Sequence, residues 1–264
     1  METILGVLLG GILAFNAFVT PGKAEKEAEK ALRKKFPGAT VNVEIEGKRG
    51  RDVLNGRFKR VHVELSNLHI EDFPIQTVNE ATEPDKKAKF STIGHMEVSL
   101  RDLTFNDLPV KTAEISFDDV KYDFNALKKK SDIKLISFSN GKIALGVEAA
   151  SMTPLIYKRV PDIKNPHVEL KGGEIVLTGR KELLGAGADI LVRGPIVSRG
   201  ANLDLEGARV EVAGLAIAPL LSGPIVRSLN PLYSFDEKWP FNVQVTKIAA
   251  ENDLLQIEGT LTAK

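Results

Sequence analysis

The residues best suited to chemistry in this chain are its four histidines, His62, His69, His95 and His167. They stand far apart, with none of the short paired spacings that metal sites use. His62 and His167 alternate with apolar neighbours, which turns them towards solvent on an extended chain. The absence of cysteine removes disulfides, zinc–thiolate sites and cysteine nucleophiles together. Gly-x-Ser-x-Gly elbows, Walker loops and zincin patterns are missing too. Gly185-Ala186-Gly187 begins like a dinucleotide loop but lacks the third glycine and the following helix, and reads as a turn. Among the acids, Asp118 and Asp119 are neighbours on a strand and point to opposite faces, while Asp204 and Glu206 alternate along one wet face. These residues offer no catalytic centre, and no metal and no cofactor is expected; they point to binding, not to an enzyme.

What remains is basic or apolar. Lys48, Arg49, Arg51, Arg57, Lys59 and Arg60 fall within thirteen residues that hold one acid, Asp52. Such a cluster is either a solvated turn or a patch for anionic headgroups, where each base contributes about 1 kcal/mol. A net charge of +1 argues against general nucleic-acid binding. The segment Ala216–Leu229 is apolar nearly all round, with Gly223-Pro224 in its middle, and predicts a helix that is buried yet broken. It packs in an ordinary core, or it lines an apolar cavity with room for acyl chains. In the second case Leu220, Leu221, Ile225, Val226 and Leu229 would meet the chain, with Leu155 and Ile156 from a second apolar helix and Trp239 and Phe241 at the rim.

Several elements must position these groups. Thr3 to Val19 is an uncharged, almost wholly apolar run of 17 residues, and residues 1–22 read as a retained membrane anchor or a cleaved signal. An acidic start, Met1-Glu2-Thr3, and a weak exit at Gly22-Lys23-Ala24 favour the anchor. The bases that follow, from Lys23 to Lys35, place the remainder on the cytoplasmic side by the positive-inside rule. From Ala24 to Phe36 a narrow stripe of Ala24, Ala28, Ala31, Leu32 and Phe36 predicts an amphipathic helix, ended by Pro37-Gly38 and supported by Glu29 four residues before Arg33.

Beyond Gly38 the period drops to two, as in Val41, Val43, Ile45 and again in Val61, Val63, Leu65. The same alternation recurs to Phe241, Val243, Val245, and predicts antiparallel sheet with one wet face. Two strands change phase midway. Met96 to Leu100 gives way to Leu103 and Phe105, and Ile115 and Phe117 to Val120, Tyr122 and Phe124. Each change requires a bulge or bend, and so a strongly curved sheet. The candidates for what it wraps are the apolar helices Ser151–Val160, with Thr153-Pro154 as cap and first turn, and Ala216–Leu229. Each helix precedes a hairpin, so a helix-strand-turn-strand unit occurs twice, with a looser copy from Ala24 to Leu65. Gln76 to Lys89 reads as an exposed loop inside one continuous domain, residues 23–264. The fold class is α+β: a strongly curved antiparallel sheet wrapping apolar helices, preceded by an N-terminal membrane helix.

Leu54-Asn55-Gly56-Arg57-Phe58 launching an alternating strand, Leu229-Asn230-Pro231, Trp239-Pro240-Phe241 and the closing Ile257-Glu258-Gly259 together resemble the LmeA family of bacterial phospholipid-binding envelope proteins. The resemblance runs from Ala24 to Leu261 and implies a tethered or exported, non-catalytic protein that binds phospholipid and supports envelope upkeep, with a fold similar to tubular lipid-binding domains. It implies the outer face of the cytoplasmic membrane, against the flanking charges. The partners expected are phospholipid and membrane. The rivals are a structural envelope protein with a filled core that binds other proteins, and an enzyme acting on lipid or glycan through converging carboxylates.

Overall fold

A computed structural model describes residues 21–47, 52, 55–70, 76–77, 89–105, 108–124, 134–183, 186–235, 239 and 241–264. The apolar run Thr3–Val19 and the bases Lys48, Arg49 and Arg51 lie outside these residues. No helix among the described residues is long and apolar enough to cross a membrane.

Helix α1, Pro21–Lys35, buries the expected stripe: Ala24, Ala28 and Leu32 are fully covered and Ala31 and Phe36 half-covered. It packs on β1, Thr40–Glu46, the edge strand of the larger sheet. Two charged side chains fasten it there. Ile45 N–H donates to Glu25 Oε1 at 2.9 Å, and the Arg33 guanidinium donates to the Val41 carbonyl at 3.2 Å. Covering an edge in this way removes a template for pairing with another chain. Arg33 also meets Glu29 at 3.5 Å, as their spacing predicts.

The larger sheet continues through β2, Phe58–Ile70; β4, Phe90–Phe105; β5, Leu108–Asp123; β6, Lys134–Glu148; β15, Leu254–Ala263; and β14, Phe241–Glu251, in the order β1-β2-β4-β5-β6-β15-β14. It is strongly curled, a half-barrel with one buried and one wet face. The sheet is not antiparallel throughout. β2 and β4 run parallel, as does the short β3, Gln76–Thr77, beside β6. Period-2 alternation reports which face a residue occupies and carries no information on strand direction, so this crossover escaped the sequence reading. Gln76 and Thr77 were expected in an exposed loop and instead form that strand.

The phase changes coincide with bulges. Asp102 and Asp119 hold φ of 50° and 49° where the apolar register switches, and Asn67 and Asn140 do so on the adjoining strands, at 60° and 47°. All four are Asn or Asp, the residues that enter the left-handed region most readily after glycine. Asn67 stands opposite Asp102 on β4, and Asp119 lies where the β5–β6 register slips. Neighbouring strands therefore bend along common creases. One crease passes through Gly94, where a Cβ would sit 2.7 Å from the Lys59 carbonyl.

The smaller sheet holds β7, Ile163–Lys171; β8, Glu174–Leu183; β9, Ala186–Arg199; β10, Asn202–Leu205; β11, Arg209–Val212; β12, Leu215–Ala216; and β13, Tyr233–Ser234. Along the edge of β9 opposite β8, β11 pairs first and β10 further on. Helix α2, Ala149–Arg159, leaves β6 directly and packs on β7, β5 and β6. It starts before the expected Ser151 because Ala149-Ala150 is strongly helix-forming, which leaves Pro154 inside the helix. Helix α3, Pro219–Leu229, has Pro219 at its first turn and runs unbroken through Gly223-Pro224. Ala216, expected in the helix, pairs instead in β12. Each of the three helices precedes an antiparallel hairpin, β1/β2, β7/β8 and β14/β15, so the looser third copy is present as well.

Creases built on left-handed Asp and Asn make a direct forecast. Asp119→Val, which puts a β-branched residue at positive φ, lowers stability by about 1–2 kcal/mol, whereas Asp119→Gly changes it by less than about 0.5 kcal/mol. Urea unfolding midpoints measure the difference; equal losses would show that the crease does not depend on backbone handedness.

Candidate functional site

The two sheets meet over apolar side chains, and no strand of one pairs with a strand of the other. An apolar cavity lies on that seam. The larger sheet contributes two cross-strand pairs, Leu145 with Ile257 and Val147 with Leu255. Ile196, Leu203, Leu232, Tyr233 and Phe235 close it from the smaller sheet and its flanks, and Met152 and Leu155 from α2. Its volume is about 20 Å³, on the scale of one water, and its walls give water almost no partners. A pocket for a drug-sized ligand takes roughly 300–1,000 Å³, so an acyl chain enters only if the sheets part.

Tyr233 is the one polar wall residue. Its hydroxyl accepts a hydrogen bond from Trp239 Nε1 at 3.2 Å, and burial pushes its pKa up, so the group stays neutral. Phe235 stacks edge-on between Tyr233 and Trp239, with ring centroids 5.0 and 5.3 Å away. Asn230 fixes the end of α3 beside this wall. Its carboxamide accepts from Leu205 N–H at 2.8 Å and donates to the Leu205 carbonyl at 2.9 Å, pairing with β10 as a strand would. That contact gives Leu229-Asn230-Pro231 a physical reason.

The residues expected to touch acyl chains are not gathered into one groove. Leu155 lines the cavity, and Trp239 is bonded to its wall. Ile156, Ile225 and Leu229 are buried in the surrounding core, with Val226 half-buried against it. Phe241 is buried in a separate cluster, 5.2 Å from the Phe117 ring and 5.6 Å from Phe138. Leu220 and Leu221 contradict the expectation of a buried helix: they are 88% and 66% exposed. The helix covers one side only, through Ser222, Ile225 and Leu229, and its other side is apolar without being covered.

The headgroup candidates lie elsewhere. Arg57 is exposed, Lys59 pairs with Glu46 at 3.2 Å, and Arg60 pairs with Glu97 at 2.9 Å on the wet face of the larger sheet. They stand on and beside β2, with two strands, β4 and β5, between them and the cavity strand β6. Of the histidines, His62 and His95 both approach Glu97, at 3.3 and 4.0 Å, while His167 lies on the smaller sheet. His62 lies near Glu64 and Glu97, His95 Nδ1 is 2.7 Å from Asp118, and His167 pairs with Glu169. The His62 side chain is covered by these neighbours to 13% exposure rather than fully solvated. Among the described residues, no group of three or more His, Asp or Glu is placed to hold a metal.

Most wall residues were missed from sequence. Leu145, Val147 and Ile257 were legible as strand positions, but only the pairing of β6 with β15 brings them opposite one another. Ile196, Leu203, Leu232 and Phe235 carried no signal beyond being apolar.

The chain is thus built as a curled sheet faced by a second sheet, with an apolar cavity between them that α2 helps to close. The chain belongs to the LmeA-like phospholipid-binding family, which it matches over residues 92–260. The match spans β4 to β15 and includes every cavity-lining residue; α1, β1, β2 and the Leu54–Phe58 turn precede it. No curated protein and no solved structure shows a significant match to the chain.

The wet face makes a pH prediction. The Arg60 hydrogen bond holds the Glu97 carboxyl below the ordinary range, and His95 does the same for Asp118. Both groups bind protons less tightly folded than unfolded. Their stabilisation is complete above the ordinary carboxylate range of about 4 and is lost as pH falls through it. Arg60→Gln therefore lowers stability at pH 7 by no more than about 1 kcal/mol, and its thermal unfolding converges with that of the parent below about pH 3. A gap that persists at low pH would assign the loss to packing.

Proposed function

We propose that this protein is a non-catalytic, membrane-associated phospholipid-binding protein that supports upkeep of the cell envelope. It takes an acyl chain into the seam between its two sheets while the headgroup stays outside. The observation that carries this is the apolar cavity walled jointly by both sheets, within a segment that belongs to a phospholipid-binding family. Parting the sheets breaks no ladder hydrogen bond between them, and an incoming acyl chain restores the apolar contacts that separation removes. The acids that an enzyme would need are engaged on wet faces: Asp118 with His95 and Asn140, Asp119 with Ser139, and Glu206 with Arg199. Residues 1–22 would hold the chain at the bilayer as an anchor or direct its export, and the family resemblance favours the outer face of the cytoplasmic membrane.

The small volume of the cavity favours a second reading, a structural envelope protein whose seam stays filled by its own side chains. The chain's single tryptophan separates the two, because it lies one hydrogen bond from the cavity wall. Phospholipid brominated along its acyl chains quenches Trp239 emission if a chain enters the seam, and Leu203→Phe, which fills the cavity, weakens that quenching at least about threefold. Lipid identified by mass spectrometry after purification gives the headgroup. Unquenched Trp239 together with lipid-free protein would establish the filled-core reading.

A further inference from the structure

The exposed apolar surface on α3 is not an isolated leucine. Fifteen consecutive residues, Val212 to Val226, carry no charge, and the chain displays them at the β11–β12 hairpin and the start of α3. Leu215 is 73% exposed, and with Leu220 and Leu221 it leaves three large aliphatic side chains in water within seven residues. Scattered single leucines are ordinary at a surface, whereas a contiguous uncharged stretch of them marks an interaction site.

Helix geometry says what lies opposite it. At 100° per residue, Leu220, Pro224 and Arg227 share the outer face, while Ser222, Ile225 and Leu229 face the core. Arg227 is seven residues beyond Leu220, about 10 Å along the axis. The outer face is thus apolar at its start and cationic at its end, the arrangement of a helix that lies in a membrane interface with its base at the phosphate level. Arg209, exposed on β11, adds a second cation next to the uncharged stretch. Three residues after α3 the same chain supplies Leu232 and Tyr233 to the cavity wall.

We propose that the stretch Leu215–Leu221 is the element that docks this protein on a phospholipid bilayer, inserting Leu215, Leu220 and Leu221 among the acyl chains with Arg227 against lipid phosphate. This rests on the phospholipid-binding reading and adds to it a contact surface distinct from the seam. The occupant is a bilayer rather than a second copy of the chain, because the outer face pairs its leucines with a cation, and the uncharged stretch of an identical face offers Arg227 no anion where lipid phosphate does.

The absence of cysteine allows a site-specific test in the full chain. Leu220→Cys and, as control, Thr260→Cys on the wet face of β15 are each labelled with a nitrobenzoxadiazole fluorophore and mixed with vesicles of phosphatidylcholine containing about 30% phosphatidylglycerol. The label at 220 shifts to the blue and is quenched by lipids carrying a nitroxide on the acyl chain; the label at 260 does neither. Arg227→Gln weakens the response at 220 at least about threefold, and phosphatidylcholine alone does the same to the parent. A label at 220 that stays in water while the protein sediments with the vesicles overturns the proposal. So does a blue shift without vesicles that grows with protein concentration, which would assign the face to a second copy. Quenching of Trp239 by brominated lipid, read in the same samples, reports the seam separately, so failure of docking and failure of lipid uptake give different results.

Discussion

Everything in this structure depends on where the backbone hydrogen bonds stop. Each sheet satisfies its own strands, and no ladder hydrogen bond crosses the seam. A fold joined in this way has one internal surface that separates without exposing unpaired amides, which elsewhere cost about 1–3 kcal/mol for each polar group left unsatisfied. The seam is therefore the place where an apolar guest, on the proposed function, would enter at least cost. One polar tie between the layers lies at an end of it: the Asp253 carboxylate, in the β14–β15 turn, accepts from Leu170 N–H of β7 at 3.4 Å. Around the cavity the layers meet through apolar side chains.

Curvature makes the seam possible. A flat sheet as wide as the larger one would present a plane; the creases at Asn67, Asp102, Asp119 and Asn140 turn it into a half-barrel with a concave apolar side. Strain at positive φ is small for Asn and Asp, and side-chain hydrogen bonds steady the turn. Ser139 and Asn140 donate to Asp119 and Asp118, both at 3.1 Å, and Lys111 meets Asp102 at 2.9 Å. The wet-face charges thus hold the shape that the inner face needs.

Much of this was legible in the sequence because it follows from periodicity. The apolar stripe of α1, the one-sided strands, the bulges at each phase change and the repeated helix-hairpin unit are all patterns in which residue spacing fixes which side of the backbone is buried. What escaped is what spacing cannot encode. The parallel pairing of β2 with β4 depends on strand direction, and the cavity depends on which strands meet. Leu145 and Ile257 are more than a hundred residues apart and become a wall only through β6–β15 pairing. The error over α3 has a different source. A helix apolar nearly all round was read as buried on the premise that such a surface is always covered within the chain, and Leu220 and Leu221 break that premise.

On the proposed docking, the apolar run at the start of the chain and the face of α3 would have different tasks. A tether raises the effective concentration of a bilayer near the binding site but does not decide which side of the molecule faces it. Residues 1–22 lead into α1, which packs on β1, at the opposite edge of the larger sheet from β14. The apolar face of α3 is on a different element, whose end lies three residues before the cavity wall. On the proposed reading, proximity and orientation come from these separate elements. With only the tether, the seam would face the bilayer in a small fraction of orientations. With α3 seated at the interface as proposed, the chain leaving the helix would carry the wall residues Leu232 and Tyr233 close behind it in sequence, which ties the docking element to the seam.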